Sequence, residues 1–202
     1  MIAGLVHLAR LGRAGLVLAR EGVLALIDTT RLPLAARIAI HAARLIERPA
    51  SSVAANRLAV ALTRLGPSYV KLGQFLATRP DVVGVVLARD LETLQDKMPP
   101  FPQADAERMV EAGLAKPVAE LFVWFGPPVA AASIAQVHRA EVAGSTAPRA
   151  VAVKVLRPGV ERRFKTDLDA FTFAASSAEA FSAEARRLRL VEVVDTLRRT
   201  VA

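Results

Sequence analysis

Five lysines stand among 22 arginines in this chain (Lys71, Lys97, Lys116, Lys154 and Lys165), and two of them sit where chemistry is plausible. A primary ammonium is a compact point charge and does not substitute for a guanidinium. Lys154 lies within Val151-Ala152-Val153-Lys154-Val155, a β-branched run that reads as a strand and puts the lysine on one face with Ala152 and Leu156. An ammonium among valines is costly to bury, so it either snorkels to water or meets an anion. Upstream runs a bend of small residues, Ala130-Ala131-Ala132-Ser133-Ile134-Ala135-Gln136. A bend above a cationic strand is one way to hold phosphate. A structural lysine on an edge strand is the other reading of the same residues.

Lys71 and Gln74 form the second pair. They stand three residues apart in Lys71-Leu72-Gly73-Gln74 and so project from one side of a helix. Gly73 between them costs about 1 kcal/mol against alanine in a helix interior. Its use is to let another backbone or a ligand come close. A solvated lysine and glutamine on a surface helix is the plainer alternative.

The elements that must carry these residues divide the chain into a helical part and a mixed part. Helices are expected over 2–27, 34–46, from Ser51 or Ser52 to Leu65, 68–78, 82–96, 104–115 and 117–125. Asp28-Thr29-Thr30 breaks the first two apart. After Gly126-Pro127-Pro128 the pattern changes to strands over 136–142 and 150–156, joined by the turn-like 144–148 as an antiparallel hairpin. A long helix from about Val160 toward Ala185 and a last one from about Val191 follow. The fold class is α+β, with three regions at 1–50, 51–126 and 127–202.

Composition limits the rest. At 202 residues with 53% hydrophobic and 23% charged residues, the chain has material for a core. There is no cysteine, and the three histidines are far apart in sequence, so no thiolate-ligated metal centre or all-protein zinc site is expected. The longest uncharged run, Leu121 to His138, is interrupted by Gly126-Pro127-Pro128, and Arg10, Arg13 and Arg20 break up the apolar residues of the first helix, so a standard secretory signal is not expected there. The net charge of +8 is concentrated at the ends: residues 1–66 hold nine arginines against Glu21, Asp28 and Glu47. Arg10, Arg13 and Arg20 gather on one side of the first helix, with Leu8, Leu11 and Leu18 across it. That helix either packs its leucines on the domain or lies on an anionic membrane. Dispersed arginines and only 5% aromatics argue against nucleic-acid binding.

Four motifs in order resemble the UbiB family of atypical kinase-like proteins. They are Gly66-Pro67-Ser68-Tyr69-Val70-Lys71-Leu72-Gly73-Gln74-Phe75, then 94–100 ending in Met98-Pro99-Pro100, then 130–138 ending in Val137-His138, then 151–155. The resemblance covers about Asn56 to the C-terminus and is loose over the first 50 residues. It implies a helical N-terminal extension followed by the start of a protein-kinase-like small lobe. It also implies that Lys71 and Gln74 face nucleotide phosphates and that Lys154 contacts the α- and β-phosphates. Val129, Ala130, Ala131, Ala132, Ser133, Ile134, Ala135, Gln136 and Val137 would replace the kinase glycine-rich loop. ATP with Mg²⁺ is the implied cofactor pair, with ATP/ADP and membrane lipids or quinone-pathway components as partners. The implied setting is ubiquinone biosynthesis at the cytoplasmic face of the inner membrane, peripheral for this stretch.

The chain departs from kinase patterns in having no Asp-Phe-Gly and in following His138-Arg139 with Ala140 rather than Asp. No metal ligand is therefore expected here, and the stretch is expected to be part of a longer protein and inactive alone. A non-catalytic membrane-peripheral adaptor is the alternative function.

Overall fold

Prolines and glycines punctuate the helical part of the computed structural model, which describes residues 2–26, 34–47, 57–94, 98–143 and 147–201. The order is α1 (Ile2–Arg20), a short 3-10 turn (Val23–Leu26), α2 (Leu34–Arg44), α3 (Arg57–Leu65) and α4 (Pro67–Ala77). There follow α5 (Pro80–Val83), α6 (Val85–Glu92), α7 (Gln103–Leu114) and α8 (Val118–Leu121). The strands are β1 (Trp124–Ala131), β2 (Ala135–Val142) and β3 (Arg149–Leu156), and α9 (Val160–Phe181), α10 (Ala183–Leu188) and α11 (Leu190–Val201) close the chain. Pro67 and Pro80 sit in the first turns of α4 and α5, where a missing N–H costs nothing. The expected break at Asp28-Thr29-Thr30 and the caps at Ser51 or Ser52 lie outside the described residues.

The structure corrects the sequence reading in four places. The single helix expected over 82–96 is two, because Gly84 adopts φ 84°, a left-handed conformation that interrupts the ladder. The helix expected over 117–125 ends at Leu121, and Trp124–Ala131 is a strand. Pro127 and Pro128 do not end that element. Register shifts flank Pro128, and β1 is an edge strand, where a residue without N–H is tolerated. The long helix expected to reach Ala185 stops at Phe181, and Ser182 caps α10 by accepting from Ala185 N.

The hairpin is consequently a three-stranded antiparallel sheet in the order β1-β2-β3. Three strands with a covered face can be stable where two are marginal.

Two compact units emerge: Met1–Leu94 with Phe164–Ala202, and Gln95–Arg163. In the first, α4 packs on α3 and α6, with Leu62, Leu65, Val70 and Leu91 buried. The same unit buries Val193, Val194 and Leu197 of α11, and Tyr69 meets Phe171 edge-on at 4.9 Å. In the second, Ala106 and Val110 of α7 pack under Val155 of β3, with Phe101, Phe122 and Phe125 around them. This packing draws α7 and α8 into the sheet's unit, which runs Gln95–Arg163.

Candidate functional site

The bend between β1 and β2 is three residues long, Ala132-Ser133-Ile134, and is closed by Ala132 N–H donating to Ala135 O at 2.8 Å. None of its residues has a positive φ, so alanine fits without strain and glycine is not required. Arg157, just past β3, fastens it. Its backbone N–H donates to Ile134 O at 2.9 Å, its Nε to Ala132 O at 3.0 Å and its Nη2 to Pro99 O at 2.8 Å. The guanidinium also stands 5.5 Å over the Phe101 ring, within cation–π range.

Behind the bend runs Met98–Phe101, and four of its backbone polar groups are engaged, Pro99 O by Arg157 among them. Pro99 and Pro100 have no N–H to satisfy. Met98 N–H donates to Ala131 O at 3.3 Å, and Phe101 N–H donates to Gln136 Oε1 at 3.0 Å. Gln136 Nε2 returns a bond to Phe101 O at 3.3 Å and donates to His138 Nε2 at 2.9 Å. His138 Nδ1 faces Gly126 O at 2.8 Å; a carbonyl only accepts, so Nδ1 carries the hydrogen and Nε2 is the acceptor. Both side chains are fully buried, and the imidazole stacks on Phe125 at 4.7 Å. The alternation in β2 therefore points Gln136 and His138 inward, because buried polar groups are tolerable once each has a partner. Gln136, expected to contact nucleotide, has its amide committed to this scaffold.

The other face of the sheet is open. Ala130, Val137 and Lys154 pair in one row across the three strands, next to the row from which the bend springs. Lys154 shares that face with Ala152 and Leu156, as the strand pattern indicates, and all three are exposed. Arg139 lies on the same face, paired with Ala152. Neither Lys154 nor Arg139 forms an ion pair among the described residues. Two uncompensated cations beside a tight bend can attract phosphate at little desolvation cost. Along the bend, Val129 and Ala130 are exposed, Ala131, Ala132, Ile134 and Val137 half-buried, and Ser133 and Ala135 buried.

Lys71 and Gln74 belong to the other unit. They do share a helix face: Lys71 Nζ donates to Gln74 Oε1 at 3.3 Å. Gly73 serves packing. A Cβ built there would stand 2.7 Å from Leu62 Cδ1 and closer still to Leu94 Cδ1, so α4 sits tightly against α3 and α6. The same unit has a cleft of about 320 Å³ lined by Arg79, Asp81, Arg187, Arg189 and Glu192, among others. Each of its guanidiniums already faces a carboxylate: Arg79–Asp81, Arg187–Glu184 and Arg189–Glu192. The Arg79 hydrogen bonds hold the Asp81 carboxyl below its ordinary range, although Asp81 is exposed and Arg79 only half-buried. Among the described residues no three His, Cys, Asp or Glu side chains gather in a way that could hold a metal ion.

Sequence reasoning missed Arg157 and the Gln136–His138 pair as organisers of the bend. The signal available was two polar residues two apart in a strand, which shares them out to one face. It also missed Asp167, 3% exposed, which receives Arg10 at 2.5 Å. That contact joins residues 157 positions apart, and nothing local announces it.

Comparison with known proteins identifies the family. The model of the ABC1 atypical kinase-like domain matches residues 93–202, more than half of the chain. The chain is similar to proteins named "Probable protein kinase UbiB". The one from Marinobacter nauticus is 45% identical over 140 residues, 69% of this chain and 25% of the relative. That of Shewanella frigidimarina is 43% identical over 148 residues, covering 73% and 27%. That of Cellvibrio japonicus is 38% identical over 171 residues, covering 84% and 30%. The chain thus spans between a quarter and a third of the length of these curated relatives.

Proposed function

Because the chain belongs to the ABC1 atypical kinase-like family, we propose that it supplies the first nucleotide-phosphate contacts of an ATP-dependent kinase or ATPase that supports ubiquinone biosynthesis at a lipid surface. One observation carries the reading: Lys154, exposed and without an ion-pair partner among the described residues, stands on the open sheet face one row from the alanine bend. Lys154 holds the α- and β-phosphates, and the bend from Val129 to Val137 limits their approach from above. Arg157 and Gln136 act as positioning residues, since their bonds fix the bend and the strip behind it. Lys71 and Gln74 are assigned nucleotide-phosphate contacts on the strength of the family resemblance alone, which Lys71→Ala tests separately. Bound Mg²⁺ neutralises phosphate charge in such enzymes. The described residues offer no cluster for it.

The test is equilibrium binding of ATP to the chain. Lys154→Ala should weaken binding at least tenfold, and Lys154→Arg should restore only part of it, because a guanidinium places its charge differently. Equal affinity for the chain and Lys154→Ala overturns the assignment. The adaptor reading is favoured by a separate observation, the exposed leucines of α1, and is compatible with nucleotide binding elsewhere in the chain.

A further inference from the structure

The first unit exposes more aliphatic surface on α1 and α2 than a helix pair facing only water needs. On α1, Leu5, Leu8 and Leu16 are 66%, 56% and 44% exposed. With about 100° per residue they fall within roughly 80° of one another, and Gly12 lies between them. Among the described residues no atom outside the helix's own backbone lies within 4 Å of where a Gly12 or Gly15 Cβ would stand, so none of them packs against these two positions. Arg13 and Arg20, both exposed, border the stripe. Arg10, read from sequence as part of the same cationic edge, is instead turned inward to Asp167, and His7 stacks on Phe173 at 5.8 Å. Leu11 and Leu18 are half-buried while Leu8 is not, so only part of the leucine set packs on the unit.

On α2, which contacts α1, the pattern repeats. Leu34 and Ile38 are 69% and 61% exposed, and Arg37 is exposed beside them. Neither helix contains an Asp or Glu. The described acids nearest the two helices in sequence are occupied, Glu21 by Arg64 and Glu47 by Arg57, and Asp167 is occupied by Arg10. No helix among the described residues is long and apolar enough to cross a membrane.

We propose that α1 and α2 form an interfacial anchor that lies in the plane of an anionic lipid surface. Leu5, Leu8, Leu16, Leu34 and Ile38 enter the acyl boundary, and Arg13, Arg20 and Arg37 meet the headgroups. Charge selects this occupant. A second copy of the same face would bring arginines against arginines with no acid on either helix to offset them, and a nucleic acid would leave the leucines in water. The proposal rests on the lipid-surface part of the reading above and not on nucleotide binding.

The experiment is co-sedimentation of the chain with vesicles of phosphatidylcholine alone or of phosphatidylcholine mixed with phosphatidylglycerol. Binding is expected only to the mixed vesicles. Arg13→Gln combined with Arg20→Gln should weaken it roughly thirty-fold, at about 1 kcal/mol for each cation near an anionic surface. Leu8→Ser combined with Leu16→Ser should abolish it while circular dichroism stays unchanged, because both positions are solvent-facing. Lys154→Ala should bind vesicles as the unmodified chain does, which separates failure of this proposal from failure of the nucleotide site. No pelleting, equal binding to neutral vesicles, leucine-dependent dimerisation in sedimentation velocity, or oligonucleotide binding lost with Arg13 and Arg20 would each overturn it.

Discussion

Gln136 bonds with both backbone groups of Phe101 and with His138, and losing its amide leaves these groups without that partner. Each buried unsatisfied group costs about 1–3 kcal/mol. Gln136→Leu should therefore destabilise the sheet's unit by roughly 2–4 kcal/mol. Urea unfolding followed by Trp124 fluorescence reads this directly, since the only tryptophan lies on β1. An unchanged midpoint would mean the network contributes nothing. Gly73→Ala sets a gain of about 1 kcal/mol in helix propensity against overpacking of about 1–3 kcal/mol. Leu62, Leu91 and Leu94 are all buried where the methyl would go, so the variant should lose stability by about 1 kcal/mol. Tyr69, the only tyrosine, reports that unit. Lysine as the residue to watch was legible because it is rare in an arginine-rich chain. The inward turn of Gln136 and His138 was not, because strand parity fixes two faces without saying which is covered.

Among the elements, α5 is short and begins at Arg79-Pro80-Asp81, where Arg79 grips Asp81 through two nitrogens at 2.9 and 2.7 Å. That grip lowers the Asp81 pKa, so the stabilisation is present above the ordinary carboxylate range near 4 and is lost as pH falls through the lowered value. Carboxyl-carbon NMR should place the Asp81 midpoint below the ordinary value, and Arg79→Gln should move it up. High salt should also move it up, because the pair is exposed. A midpoint unmoved by Arg79→Gln would remove the pairing. Helix boundaries set by Pro67, Pro80 and Pro117 were readable in advance, since ring closure fixes φ and removes a donor. Strand β1 was hidden by its own prolines, which an edge strand tolerates because it is paired on one side alone. The inward turn of Arg10 was equally hidden, since Asp167 lies 157 positions away.

For the whole molecule, the α+β class was visible in the change of pattern after residue 126, and the family was visible in four ordered motifs. The sequence pattern does not show that α7 and α8 pack on the sheet, a contact made by Ala106 and Val110 against Val155 with Val118 and Leu121 beside them. We propose that the chain alone turns over no ATP, because its sequence holds no Asp-Phe-Gly to supply a metal-binding carboxylate. Steady hydrolysis above that of Lys154→Ala, in a preparation free of contaminating ATPases, would contradict this. The central claim is that Lys154 meets phosphate. With the lysines isotopically labelled, five side-chain signals can be followed as ATP is added to the chain. The account predicts that the Lys154 signal shifts with ATP and stays still with adenosine, which has the base but no phosphate. A Lys154 signal indifferent to saturating ATP would contradict it.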